Sequence, residues 1–217
     1  MAGPRPIMAD KVRVAVLISG RGSNMLALSE HKRREPDRPY EIVLAASNVP
    51  EARGLVLARR LGLPVWAKSH KGMEREAFDR LLDAELRARD VEIVALAGYM
   101  RLLSDAFVAA WEGRILNIHP SLLPAYKGLD THRRAIEAGD AFAGCTVHIV
   151  TPALDDGPVL AQAPVRIRPR ETPEALAERV LAEEHRLYPQ ALEDYCRSIV
   201  AARGGGDSGH EDAPPAE

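Results

Sequence analysis

Short aliphatic runs alternate with amphipathic stretches along most of this chain. Val12 to Ser19 (VRVAVLIS), Tyr40 to Ser47 (YEIVLAAS), Val65 to Ala67 and Val91 to Ala97 (VEIVALA) have strand length and β-branched content, the pattern of strands buried on both faces. The stretches between them read as helices. Ala52 to Leu61 is stopped by Gly62, and Met73 to Arg89 carries Phe78, Leu81, Leu82 and Leu86 on one side with charges between. Ser104 caps a short helix reaching Trp111. Further on, Pro158 to Ile167 alternates like a strand, with Pro164 marking an edge or a bulge, and Thr172-Pro173-Glu174 opens a helix expected to run to about Ala202, with Pro189 as a site for a bend.

Strands alternating with helices from Val12 to His119 predict an α/β fold: a doubly wound, mostly parallel sheet with helices on both faces, joined by right-handed crossovers. In the usual doubly wound order the first and fourth strands are neighbours at the switch point, so the loops after Ser19 and after Ala97 open into one crevice. Asn117 and His119 belong to the same crevice. They sit two residues apart in a strand-like run, so their side chains leave one face, and Pro120 ends the strand directly after them.

The loop Gly20-Arg21-Gly22-Ser23-Asn24 joins a buried strand to a helix start, where free N–H groups and the helix dipole favour an anion. Met25 stands where the dinucleotide fingerprint needs a third glycine, and the Lys-Ser/Thr pair of the phosphate loop is missing. Two readings remain open from the loop alone: a cradle for one terminal phosphate, or a glycine turn capped by Ser23 or Asn24 with no ligand.

Composition narrows the function classes. With 217 residues, 46% of them hydrophobic and 28% charged, the chain suits one large domain: residues 1–10 as a disordered leader, 11–202 as the domain, 203–217 as a disordered acidic tail. A net charge of −2 offers no long-range pull on nucleic acid or on an anionic membrane, and no apolar run is long enough to span one. Cys145 and Cys196 lie far apart and outside any ligand spacing, so reduced thiols in a cytoplasmic protein are expected, without a metal. Ser19 and Ser23 do not sit in a nucleophile elbow, and neither cysteine has a neighbouring base. Acid–base and oxyanion chemistry is left, with Asn117 and a protonated His119 as donors and either Asp155 or Asp156 able to keep that imidazole charged.

The segments VLISGRGSN, LAGYMRLLS, ILNIHPSLLPAYKG, THRRAI and VHIVTPALDDGPVLAQ resemble the phosphoribosylglycinamide formyltransferases of purine synthesis over about Val12 to Arg197. The resemblance implies a Rossmann-like formyltransferase fold, the donor 10-formyltetrahydrofolate and the acceptor glycinamide ribonucleotide. It implies Asn117, His119 and Asp155 as catalytic residues, Gly22, Ser23 and Asn24 as the acceptor phosphate site, and Glu184 as the residue that binds the acceptor amine. It places the folate against Leu96, Met100, Arg101, Leu102, Leu103, Val150, Pro152, Ala153, Leu154 and Asp155. Expected partners are these small molecules, with no nucleic acid and no membrane, in a monomer or homodimer.

Two positions depart from the family pattern: Asp156 stands where many relatives have glycine, and Asp130 where some have histidine. Methionyl-tRNA formyltransferase and formyltetrahydrofolate deformylase share the Asn/His/Asp set. The first is expected to carry a longer C-terminal domain and a basic surface, and the second an N-terminal regulatory domain. A phosphate-metabolite sensor on the same fold is the non-enzymatic alternative, although a sensor has no use for all three polar residues.

Overall fold

A computed structural model describes residues 11–204; the expected leader 1–10 and most of the expected tail lie outside the described residues. The strands are β1 (Val12–Ile18), β2 (Tyr40–Ser47), β3 (Val65–Ala67), β4 (Ile93–Leu96), β5 (Ile115–His119), β6 (Phe142–Ile149) and β7 (Val159–Arg166). The helices are α1 (Ser23–Arg34), α2 (Arg53–Arg60), α3 (Arg75–Arg87), α4 (Asp105–Ala110), α5 (Thr131–Glu137) and α6 (Pro173–Gly204).

Among the described residues the strands form one sheet in the order β3-β2-β1-β4-β5-β6-β7. β1 pairs with both β2 and β4 in parallel, as the doubly wound reading requires, and the order reverses there. β5 is the last parallel strand, and β6 and β7 return antiparallel. The strand pattern had not singled out β6, because its polar Thr146 and His148 break the aliphatic run; both are nevertheless buried. β7 lies at the sheet edge, where Pro164 costs no ladder bond to a further strand.

Period-two alternation in β1 sorts its side chains between two cores. Val12, Val14, Val16 and Ile18 pack with Met25 and Leu28 of α1, Leu55 of α2 and Leu176, Val180 and Leu192 of α6. Ala15 and Leu17 pack on the other face with Phe78, Leu82 and Leu86 of α3 and Phe107 of α4. Helices thus cover both faces, and every strand end of β1, β4 and β5 is free to carry loops on one rim of the sheet. α6 crosses beneath that rim: the fully buried Tyr188 places its Oη 3.1 Å from the carbonyl oxygens of both Leu96 and Leu116.

One boundary differs from the sequence reading. Ser104 does cap α4, accepting from the Phe107 N–H, but α6 continues through Arg203 and Gly204 instead of ending near Ala202. Arg203, the first residue assigned to the tail, forms an ion pair with Glu92 just before β4.

Candidate active site

Three loops and two strand ends converge on the rim. Leu96 of β4 pairs with Asn117 of β5, and Asn117 pairs in turn with His148 of β6, so a folate-pocket candidate, a catalytic candidate and a second imidazole stand in one row across the sheet. The Asn117 Nδ2 lies 3.2 Å from His148 Nε2, while His148 Nδ1 lies 3.0 Å from the Ile149 carbonyl oxygen. The tautomer with hydrogen on Nδ1 satisfies both contacts, leaving Nε2 to accept one amide hydrogen of Asn117. Burial pushes the His148 pKa down and thereby favours this neutral ring, against smaller opposing contributions from the Ile149 carbonyl and Asp155. The amide of Asn117 is therefore oriented from behind. His148 carried no functional reading in the sequence; its signal was its place in a strand running antiparallel to the one that holds Asn117, which only the register reveals.

His119 is 5% exposed, with Nδ1 3.4 Å from Asp155 Oδ2 and Nε2 3.0 Å from the Tyr126 carbonyl oxygen. Asp155 also places Oδ1 3.7 Å from His148 Nε2, so one carboxylate faces both imidazoles. That carboxylate is fixed in turn by the Gly128 N–H, which donates to Oδ2 at 2.9 Å. Asp155 takes a left-handed backbone conformation, φ 48°, and Gly157 behind it is obligatory: a Cβ there would sit 1.8 Å from the Ile149 oxygen. Asp156 points the other way and pairs with Lys127 at the surface. Asp155 and Asp156 are thus separated by geometry, and of the two it is Asp155 that reaches His119.

At the other side of the rim, Gly22 has φ 76°, and a Cβ on it would meet the Gly54 Cα at 2.9 Å. This close approach of two backbones explains why the loop needs glycine here. α1 has no side-chain cap, which removes the capped-turn reading of Ser23 and Asn24. The first α1 N–H to reach a helical carbonyl is that of Leu26, bound to Gly22 O at 2.9 Å, so the preceding N–H groups of the first turn face outward, as at any helix start. The Asn24 side chain does not join them. It is buried, and its Nδ2 donates to Glu184 Oε2 at 2.7 Å across the gap between α1 and α6. Burial raises the Glu184 pKa, and the Asn24 hydrogen bond offsets part of that rise.

A cleft of about 230 Å³ opens beside this cluster. Its walls are the segment from Tyr99 to Val108 and the segment from Val150 to Asp155, with Leu96, Asn117 and His148 at the inner end. All the residues assigned to a folate pocket line it except Met100, which is 71% exposed. Its backbone N–H donates to Ser19 Oγ at 2.8 Å, joining this wall to the end of β1. Among the described residues no three His, Cys, Asp or Glu side chains gather in a way that could hold a metal, and no helix is long and apolar enough to cross a membrane. Cys145 and Cys196 are free and buried, with burial pushing both thiols up to about 12, so neither is a nucleophile.

The family model described as formyl transferase matches residues 12–192. The chain belongs to the formyl transferase family. Within it, the phosphoribosylglycinamide formyltransferase of Escherichia coli K12 is 42% identical over 182 residues, covering 83% of this chain and 85% of the relative. The trifunctional purine biosynthetic protein adenosine-3 of Gallus gallus is 46% identical over 188 residues, and there the chain spans 19% of the relative's length. Among solved structures, phosphoribosylglycinamide formyltransferase from Brucella melitensis superposes with a TM-score of 0.81 at 49% identity, covering 86% of this chain and 96% of that one. Glycinamide ribonucleotide transformylase 1 from Symbiobacterium toebii gives 0.84 at 42%, covering 91% and 94%. These formyl transferases share the seven-stranded, mostly parallel architecture described above.

Proposed function

We propose that this formyl transferase moves the formyl group of 10-formyltetrahydrofolate to the amine of 5'-phosphoribosylglycinamide, a step of purine biosynthesis. The observation that supports this reading is the 3.4 Å contact of His119 with Asp155, a residue that lines the cleft together with Asn117. Identity of 42% to a relative named for this activity, over most of both chains, supports it independently.

In this account the acceptor phosphate lies on the backbone donors of Gly22, Ser23 and Asn24. The loop spends its N–H groups rather than the Asn24 amide, which Glu184 occupies. Glu184 in turn recognises the acceptor amine by charge and hydrogen bonding. The folate ring occupies the cleft between Leu96 and the 150–155 segment, which presents the formyl group to Asn117.

The acceptor nitrogen attacks the formyl carbon, forming the new C–N bond and an oxyanion. The free amide hydrogen of Asn117 meets that oxyanion, its other hydrogen being held by His148. In this account His119 adds a second donor through Nδ1, the ring nitrogen that Asp155 faces at 3.4 Å, while Nε2 stays on the Tyr126 carbonyl at 3.0 Å. Asp155 stabilises the positive ring and helps pass the proton from the attacking nitrogen to N10 of the folate. The bond from the formyl carbon to N10 then breaks, so tetrahydrofolate leaves and the formyl amide stays on the acceptor.

An absorbance assay of folate product formation with donor and glycinamide ribonucleotide tests this reading, run beside reactions in which water or initiator methionyl-tRNA is the only acceptor. Turnover that depends on glycinamide ribonucleotide is expected. Equal rates with water alone would assign the chain to hydrolysis of the donor, and turnover confined to the tRNA arm would assign it to the tRNA branch.

A further inference from the structure

Helix α3 turns one charged side chain, Asp79, into the stripe that Phe78, Leu82 and Leu86 present to the core, and Asp79 is only 2% exposed. A carboxylate removed from water is costly unless hydrogen bonds or an opposite charge compensate it. Its Oδ2 accepts the Ser104 N–H at 2.6 Å. Its Oδ1 has no hydrogen-bond partner and lies 3.9 Å from the Nε of Arg101, a buried donor that is likewise unpartnered. The Arg101 guanidinium lies over the Phe78 ring, Cζ 4.8 Å from the centroid, and donates from Nη2 to the Arg75 carbonyl at 3.3 Å.

One backbone N–H does not call for a charge. A serine or an asparagine on α3 could accept from Ser104 at lower cost, so the second carboxylate oxygen answers the other group it faces, Arg101. Both partners of the carboxylate belong to one wall of the cleft: Arg101 lines it directly, and Ser104 is the cap that starts α4, whose Asp105 and Val108 line it too. From the far end, Ser19 ties the same wall through Gly98 and Met100.

We propose that Asp79 is a positioning residue of the donor cleft, fixing the 98–105 wall through Ser104 and drawing Arg101 onto that wall. This rests on the reading of the cleft as the 10-formyltetrahydrofolate site. Asp79 touches no substrate; it acts by keeping the guanidinium and the α4 cap where the donor meets them.

The deciding variant is Asp79→Asn, which keeps an oxygen for the Ser104 N–H and loses the charge that faces Arg101. Binding of 10-formyltetrahydrofolate without acceptor is measured by calorimetry, with initial-rate kinetics and thermal melts alongside. For Asp79→Asn the donor Kd and KM are expected to rise roughly tenfold, the equivalent of about 1.4 kcal/mol, with acceptor KM and kcat at saturating donor within about twofold of wild type. Arg101→Gln should weaken donor binding in wild type and add little in the Asp79→Asn background, because the two changes disable one element. An unchanged donor Kd, equal rises in both KM values or fully additive losses would overturn the proposal while leaving the function intact. If the wild type binds no 10-formyltetrahydrofolate, the donor reading fails first and the role of Asp79 with it.

Discussion

Oδ2 of Asp155 stands 3.4 Å from Nδ1 of His119, while the carboxylate next to it in sequence, on Asp156, is turned to Lys127. The left-handed turn at Asp155 and the close approach of Gly157 to Ile149 set this division. Asp155→Asn is therefore expected to lower kcat by about a hundredfold or more, the scale of losing a group that supports charge development in the transition state. Asp156→Asn breaks an exposed ion pair and should change kcat by less than about threefold, since such pairs contribute about 1 kcal/mol or less. Steady-state kinetics on the two variants decide it: comparable losses would mean that the loop register is wrong.

The phosphate loop is tested at Gly22. Its φ of 76° and the 2.9 Å approach of a Cβ to Gly54 leave no room for a side chain. Gly22→Val should raise the acceptor KM far more than the donor KM, by roughly tenfold or more if one set of phosphate contacts is lost. Equal shifts in the two KM values would count against an anion at this loop. Circular dichroism and a melting curve show whether the variant keeps its fold.

Glu184 gives a pH signature. Burial raises its pKa above the ordinary 4.5, so at low pH the carboxyl is neutral and holds the acceptor amine weakly. As pH rises through that raised value the carboxylate forms, and the acceptor KM should fall, at a higher pH than an exposed glutamate would show. Glu184→Gln should flatten this dependence and raise the acceptor KM at neutral pH by roughly tenfold, as expected for a lost charge-assisted hydrogen bond. A Gln variant with the wild-type KM profile would remove Glu184 from the acceptor site.

Much of the fold was legible because its signals are local. The aliphatic runs of β1, β2 and β4, the cap at Ser104 and the Thr172-Pro173-Glu174 start each declare an element without reference to the rest of the chain. The neighbouring of β1 and β4 followed from topology rules alone. What stayed hidden depends on long-range pairing. His148 matters because β6 lies antiparallel to β5, and Asp79 because α3 packs on the 98–104 segment; neither spacing is visible in the sequence. Met100 shows the converse, since a residue carried over by pattern has an exposed side chain and an N–H bound to Ser19, a contact that no local pattern displays.

Three histidines also set the response of stability to acid. Burial is the first cause lowering the pKa of His132, His148 and His185 from the ordinary 6.5. The sign follows from proton counting: between the lowered folded value and the unfolded value of about 6.5 the unfolded chain binds more protons, so stability falls as pH falls through that window. The contribution is complete above it. Urea unfolding at pH 8, 6.5 and 5.5 should show a decreasing midpoint, and His148→Gln should lessen the slope of that decrease. A midpoint that rises on acidification would contradict the buried neutral rings.

The central claim is that Asn117 and His119 receive the oxyanion of a formyl transfer from folate to an amine. The most direct measurement is single-turnover transfer of isotopically labelled formyl from 10-formyltetrahydrofolate to glycinamide ribonucleotide by wild type and by His119→Ala, matched for folding by circular dichroism. The account expects the label on the acceptor amine with wild type, and with His119→Ala a rate lower by about a hundredfold or more while both substrates still bind. Label left on the folate or released as formate by the wild type, or a variant as fast as its parent, would contradict it.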